Sequence, residues 1–144
     1  MTEEIKRIIF LLPGCDIDAT TRKCVPVGGY KVVYEYANRF ALDGYDVVLA
    51  FSHARCHYAN PLRHIYGFAG YLYRKMCGEM HAGEWFALND SIKKWFPYCY
   101  HLPFISFRDT DIVFATAYDT AVELNKITEV PQSNKFYLIQ DYEI

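Results

Sequence analysis

The sequence predicts an α/β domain with a mostly parallel sheet, a Rossmann-like three-layer arrangement. Three observations point there. Arg7–Leu12 (RIIFLL) and Val47–Phe51 are continuous apolar runs, the pattern of strands covered on both faces. The stretch between them reads as a glycine pair, an amphipathic helix and a glycine stop. Asp111–Ala115 (DIVFA) is a third apolar run, again followed by a helical pattern.

Size and composition set the frame. The chain has 144 residues, which fits one domain. Hydrophobic residues make up 52% and aromatics 17%, which argues against disorder. A net charge of −2 supplies no global field to recruit nucleic acid, so no nucleic-acid partner is expected. No apolar run approaches the roughly 18 residues needed to span a bilayer. The start, MTEEIKR, lacks the apolar segment of a signal peptide, so a cytoplasmic chain is expected. Five cysteines without a CxxC pair suit reduced thiols better than a disulfide framework.

Taken in order, the first strand ends at Pro13-Gly14, and the next helix starts near Tyr30. That connection is long, and it leaves the carboxyl end of a parallel strand, where open α/β sheets bind ligands. Within it, Gly28 and Gly29 let backbone approach a ligand, and the following helix turns free N–H groups toward the same spot. A tight turn against the sheet explains the pair equally well. Cys15 and Cys24 lie in the same connection, and free thiols are expected there. Arg22 and Lys23 suit either an anionic ligand or a solvated loop.

In the helix, Val33, Tyr36, Ala37, Phe40 and Ala41 follow one face, Glu35 and Arg39 sit four apart, and Gly44 is the expected left-handed stop. After the second strand, His53, Cys56, His57 and His64 invite a metal reading. Their spacing matches no common zinc pattern, so no residue is assigned to a metal. Arg63–Met80 carries helical spacing at Ile65, Phe68, Ala69, Leu72 and Met76, weakened by Gly67 and Gly70. Its Tyr, Arg and Lys residues suit a membrane interface, a sugar, or cover by another domain. Glu84–Leu88 reads as a short strand, and Ile92–Phe96 as a short helix or extended piece. Pro97–Pro103 is an aromatic connector expected to pack. Thr116 is the expected N-cap of the next helix, with Asp119 three residues on. Phe136–Ile139 is the last strand, with no covering element after it, so a partner or a longer chain is expected to complete the fold.

Three pieces, GGYKVVYEYANRFALDGYDVVLA, DTDIVFATAYDTAVEL and KFYLIQDYEI, together resemble the N-terminal domain of GT-B glycosyltransferases of family 4 (glycosyl transferase group 1), nearest the rhamnosyltransferase-like members. The resemblance implies that residues 1–144 are the acceptor-side half of a GT-B fold, with a separate C-terminal donor-binding domain outside them. It implies transfer from a nucleotide-sugar donor to a glycan or lipid-linked acceptor in cell-surface polysaccharide synthesis. It further implies a cytoplasmic enzyme, peripheral at the inner membrane face, with the nucleotide sugar as co-substrate and no other cofactor. Gly28 and Gly29 match the glycine loop near the donor phosphates, and Thr116 the strand-end Ala-Thr position. Gln140-Asp141 stand where many relatives have His-Asp. The E-x7-E motif of the donor half is not in these residues.

The chemistry agrees with these positions. Transfer of a sugar needs negative charge on the departing phosphate to be met by fixed dipoles. Backbone N–H groups of Gly28, Gly29 and Tyr30 suit that task, with Thr116 and Gln140 beside them as donor contacts. Asp141 is the carboxylate expected to take the acceptor's hydroxyl proton. The competing reading is a non-catalytic nucleotide-sugar-binding module or a subunit completed by a partner chain. A nicotinamide-dependent oxidoreductase is disfavoured, because GxGxxG and the acidic residue about 20 positions later are missing.

Overall fold

The computed structural model describes residues 5–53, 60–100 and 105–139. Five strands form one parallel sheet: β1 (Arg7–Leu12), β2 (Asp46–Phe51), β3 (Lys93–Trp95), β4 (Ile112–Ala115) and β5 (Lys135–Tyr137). Their order is β3-β2-β1-β4-β5. β1 is central, with Ile9 opposite Val48 on one side and Val113 on the other. The order reverses at β1, the feature of doubly wound sheets that opens a crevice at the carboxyl edge. The fold is therefore the α/β, Rossmann-like class that the three apolar runs predict.

Side-chain alternation along β1 feeds two cores, which explains why its sequence has no polar face. Ile8, Phe10 and Leu12 pack with Val33, Tyr34 and Ala37 of α1 (Gly28–Leu42). Ile9 and Leu11 point the other way, toward Leu124 of α3 (Tyr118–Lys126), Ile127 and Val130. Helix α1 starts at Gly28, so the glycine pair forms its first turn instead of preceding it. Its packed stripe is rotated from the expected one: Tyr34 is fully buried and Tyr36 is exposed. The charges pair as Lys31–Glu35 at 3.9 Å and Arg39–Asp43 at 3.7 Å. Gly44 has φ +91°, the left-handed stop expected.

Helix α2 (Pro61–Met76) is capped by Asn60, whose side chain accepts from the Leu62 N–H at 3.0 Å. Ile65, Leu72 and Met76 of the expected stripe are exposed. Phe68 of that stripe does pack, and with Gly67 and Tyr71 it forms the face held against Tyr98. A Cβ on Gly67 would lie 2.8 Å from the Tyr98 hydroxyl, which accounts for a glycine inside this helix.

Glu84–Leu88 is not a strand. Gly83 at φ +70° turns the chain, and Phe86 donates back to the Gly83 carbonyl at 3.2 Å. The segment is pulled out of extended geometry because Trp85 and Phe86 pack on the Tyr34 ring. The third strand comes from the Ile92–Phe96 piece instead. At the opposite end of the sheet, Arg7 and Asp111 form a buried two-pronged ion pair at 2.9 and 2.6 Å, with the guanidinium 5.2 Å from the Trp95 ring.

Candidate functional site

The carboxyl ends of the central strands are tied together by hydroxyl groups. Thr116 Oγ1 donates to the Leu11 carbonyl at 2.8 Å, joining β4 to β1. Tyr100 donates to the Leu12 and Ala50 carbonyls and accepts from the Ser52 N–H at 3.1 Å, joining β1 to β2. Of the aromatic connector, Tyr98, Cys99 and Tyr100 are buried and pack as expected, and its last three residues lie outside the described ones. Thr116 is not the helix N-cap. Ala117 takes that position, and the Thr120 hydroxyl accepts from the Thr116 and Ala117 N–H groups at 3.0 and 2.9 Å.

The long connection after β1 is organised around Asp16. Its buried carboxylate accepts from Tyr34 Oη at 2.9 Å, the Gly83 N–H at 3.0 Å and Trp85 Nε1 at 2.7 Å. Two segments distant in sequence, α1 and the turn carrying Gly83 and Trp85, therefore meet on one side chain. Beyond it, Asp18 Oδ1 accepts from the Thr20 and Thr21 N–H groups at 2.9 and 2.6 Å, and these bonds hold its carboxyl below the usual range. Ile17 and Cys24 pair as a short antiparallel bridge.

That loop walls a cleft of about 540 Å³ at the carboxyl ends of β1 and β2. It is lined by Gly14, Cys15 and Arg22 from the connection after β1, by Ser52 and His53 after β2, and by Arg74, Glu79 and His81 from the end of α2 and the turn after it. Among its charged lining groups, two arginines stand against one carboxylate, and Arg22 pairs with Glu79. His53 stacks near Tyr71 and Tyr98, and burial, then Arg74, lowers its pKa below 6.5. The ring therefore stays neutral at physiological pH. Burial, then the Asp16 charge, pushes the Cys15 thiol up to about 12, so it offers no thiolate nucleophile.

Of the residues expected at the site, Gly28, Gly29, Tyr30 and Thr116 all sit at the carboxyl edge of the sheet, but none lines this cleft. Gly28 is exposed, and a Cβ there would meet no heavy atom within 4 Å. Tyr30 is turned inward: its hydroxyl donates to the Gly14 carbonyl at 2.8 Å, and its ring packs near Phe51. Burial, then Asp16, raises its pKa. Gln140 and Asp141 lie outside the described residues, as do Cys56 and His57. Among the described residues, Cys15, Cys24 and Cys77 are free thiols.

The sequence alone gives no role to Asp16 or to the segment around His81, and it offers Arg74 to a membrane or a sugar but not to this cleft. The only signal for Asp16 was its place in a long loop after a central strand. His81 instead meets Cys24 and Glu84: Cys24 Sγ lies 3.3 Å from His81 Nδ1, and Glu84 Oε1 lies 3.1 Å from the same nitrogen. Among the described residues no helix is long and apolar enough to cross a membrane. Comparison of the chain with protein-family models, curated proteins and solved structures found no match.

Proposed function

We propose that the chain is the acceptor-side half of a glycosyltransferase that moves a sugar from a nucleotide-sugar donor to a glycan or lipid-linked acceptor. The observation that carries this reading is the polar cleft at the carboxyl edge of a β3-β2-β1-β4-β5 sheet, with Arg22 and Arg74 in its walls. Ligands of open parallel sheets bind at that edge. Guanidinium groups suit the phosphate oxygens of a diphosphate. In this reading a second α/β domain brings the donor, and its diphosphate comes to rest between the arginines and the exposed first turn of α1. Developing charge on the leaving phosphate is met by those cations and by backbone N–H groups. Asp141 takes the acceptor proton. The exposed Tyr66, Tyr73, Arg74 and Lys75 of α2 suit contact with a membrane-held acceptor at the cytoplasmic face.

Saturation-transfer NMR of the chain with alkyl glycosides, a lipid-linked glycoside and UDP-, GDP- and dTDP-sugars tests this. The expected result is contact with glycosides, weaker contact with one donor class, and no transfer product from the chain alone. Absence of contact with every glycoside and donor overturns the reading, and product formed by the chain alone overturns the half-enzyme assignment.

A further inference from the structure

We propose that Cys24, His81 and Glu84 form a binding site for a zinc-class divalent cation at the margin of the cleft. The proposal stands independently of sugar transfer. The three residues come from two segments, the loop after β1 and the turn after α2, and all their ligand atoms lie within 4.8 Å of one another. Cys24 Sγ is 3.3 Å from His81 Nδ1, His81 Nδ1 is 3.1 Å from Glu84 Oε1, and Cys24 Sγ is 3.6 Å from Glu84 Oε2. In a tetrahedral zinc site with bonds of about 2.0–2.3 Å, the ligand-to-ligand edges come to about 3.3–3.6 Å. The approaches here, 3.1 to 3.6 Å, come close to that size, with one Glu84 oxygen on His81 and the other on Cys24.

The alternative for a cysteine, a histidine and a carboxylate is nucleophilic catalysis. That arrangement needs the ring to bridge its partners, with the thiol on one nitrogen and the carboxylate on the other. Here both partners address the same atom, Nδ1 of His81. One nitrogen holds one proton or one lone pair, so it cannot serve both as a relay. A cation at the shared point satisfies all three groups at once.

The backbone fixes both arms. Cys24 sits in the Ile17–Cys24 bridge, and Val25 donates to the Asp16 carbonyl at 2.7 Å. Gly83 at φ +70° turns the other arm so that His81 and Glu84 face the same side. The Asp16 carboxylate, bonded to the Gly83 N–H and Trp85 Nε1, locks that turn to the loop carrying Cys24. Such a shell orients ligands before a metal arrives. Thiolate, imidazole and carboxylate together favour zinc over magnesium or calcium. Three protein ligands leave a fourth position for water or a ligand. Because His81 also lines the cleft, the ion would sit beside whatever the cleft holds.

The test uses the full chain, stripped with a chelator and titrated with Zn²⁺ against a chromophoric competitor, then with Co²⁺. The expected result is one ion per chain and a thiolate-to-cobalt charge-transfer band. Cys24→Ser should abolish the band, and Cys24→Ser, His81→Gln and Glu84→Gln should each weaken zinc binding at least about 10-fold. The metal-free variants should keep the parent's circular dichroism, since all three side chains are at least partly exposed. Failure to bind zinc one-to-one overturns the site. So does retention of the cobalt band in Cys24→Ser, or unchanged zinc affinity in His81→Gln; both would put the metal on other ligands.

Discussion

The hydroxyl of Thr116 and the carbonyl of Leu11 meet at 2.8 Å, so a side chain clamps the carboxyl ends of β4 and β1 where the strand order reverses. A threonine read from sequence as a helix cap is a strand-to-strand tie. Thr116→Val keeps the shape and removes the donor. It is expected to cost about 1 kcal/mol, while Thr116→Ser retains most of the stability. Urea unfolding of the two variants checks this. Parent-like stability in Thr116→Val would mean that the bond contributes nothing.

Asp16 holds three donors from α1 and the turn at Gly83. Asp16→Ala strands all three, and each buried orphan costs about 1–3 kcal/mol, with Trp85 partly relieved by water. A loss of roughly 3–5 kcal/mol is expected. Trp85 fluorescence should report a freed indole. A loss below about 1 kcal/mol would show that the loop does not depend on this carboxylate.

The fold was legible where apolar runs and glycine punctuation agreed. RIIFLL and DVVLA are too apolar for anything but covered strands, and Gly44 could stop α1 because only glycine takes φ +91° without strain. The rotation of α1 was not legible, since Tyr34 and Tyr36 look alike in sequence. Only Asp16, met from 18 residues away, decides which one turns inward. Glu84–Leu88 has strand composition, but two aromatic rings gain more by packing on Tyr34 than by joining a ladder. For the site, the carboxyl edge was foreseeable from strand order. Its walls were not, because Arg74 and His81 arrive from a helix end and a turn that local patterns do not link to β1.

Gly28→Ala separates a structural glycine from a binding one. The position is exposed, and a Cβ meets nothing within 4 Å. The variant should be as stable as the parent or up to about 0.5 kcal/mol more so. Glycoside and nucleotide-sugar contact should nonetheless fall, if the first turn of α1 approaches the ligand. Unchanged contact would remove Gly28 from the site.

His53 gives the stability a pH signature. Its folded pKa is lowered by burial and Arg74, so the unfolded chain binds a proton more readily. Stability is therefore expected to fall as pH drops below 6.5, and to level off below the folded pKa. His53→Gln should remove that part of the slope in urea titrations across this range. An unchanged slope would assign it to other groups.

A sugar-diphosphate ligand is expected to be met at the carboxyl-edge cleft. The most direct measurement is a two-dimensional amide NMR titration of the ¹⁵N-labelled chain with nucleoside diphosphates and alkyl glycosides, repeated on Arg74→Ala. The expected result is movement of the Gly14, Ser52, His53 and Gly78 signals, reduced several-fold for the diphosphates in the variant. Signals that stay still at this edge, or that move only near Arg7 and Asp111 at the opposite edge, would contradict it.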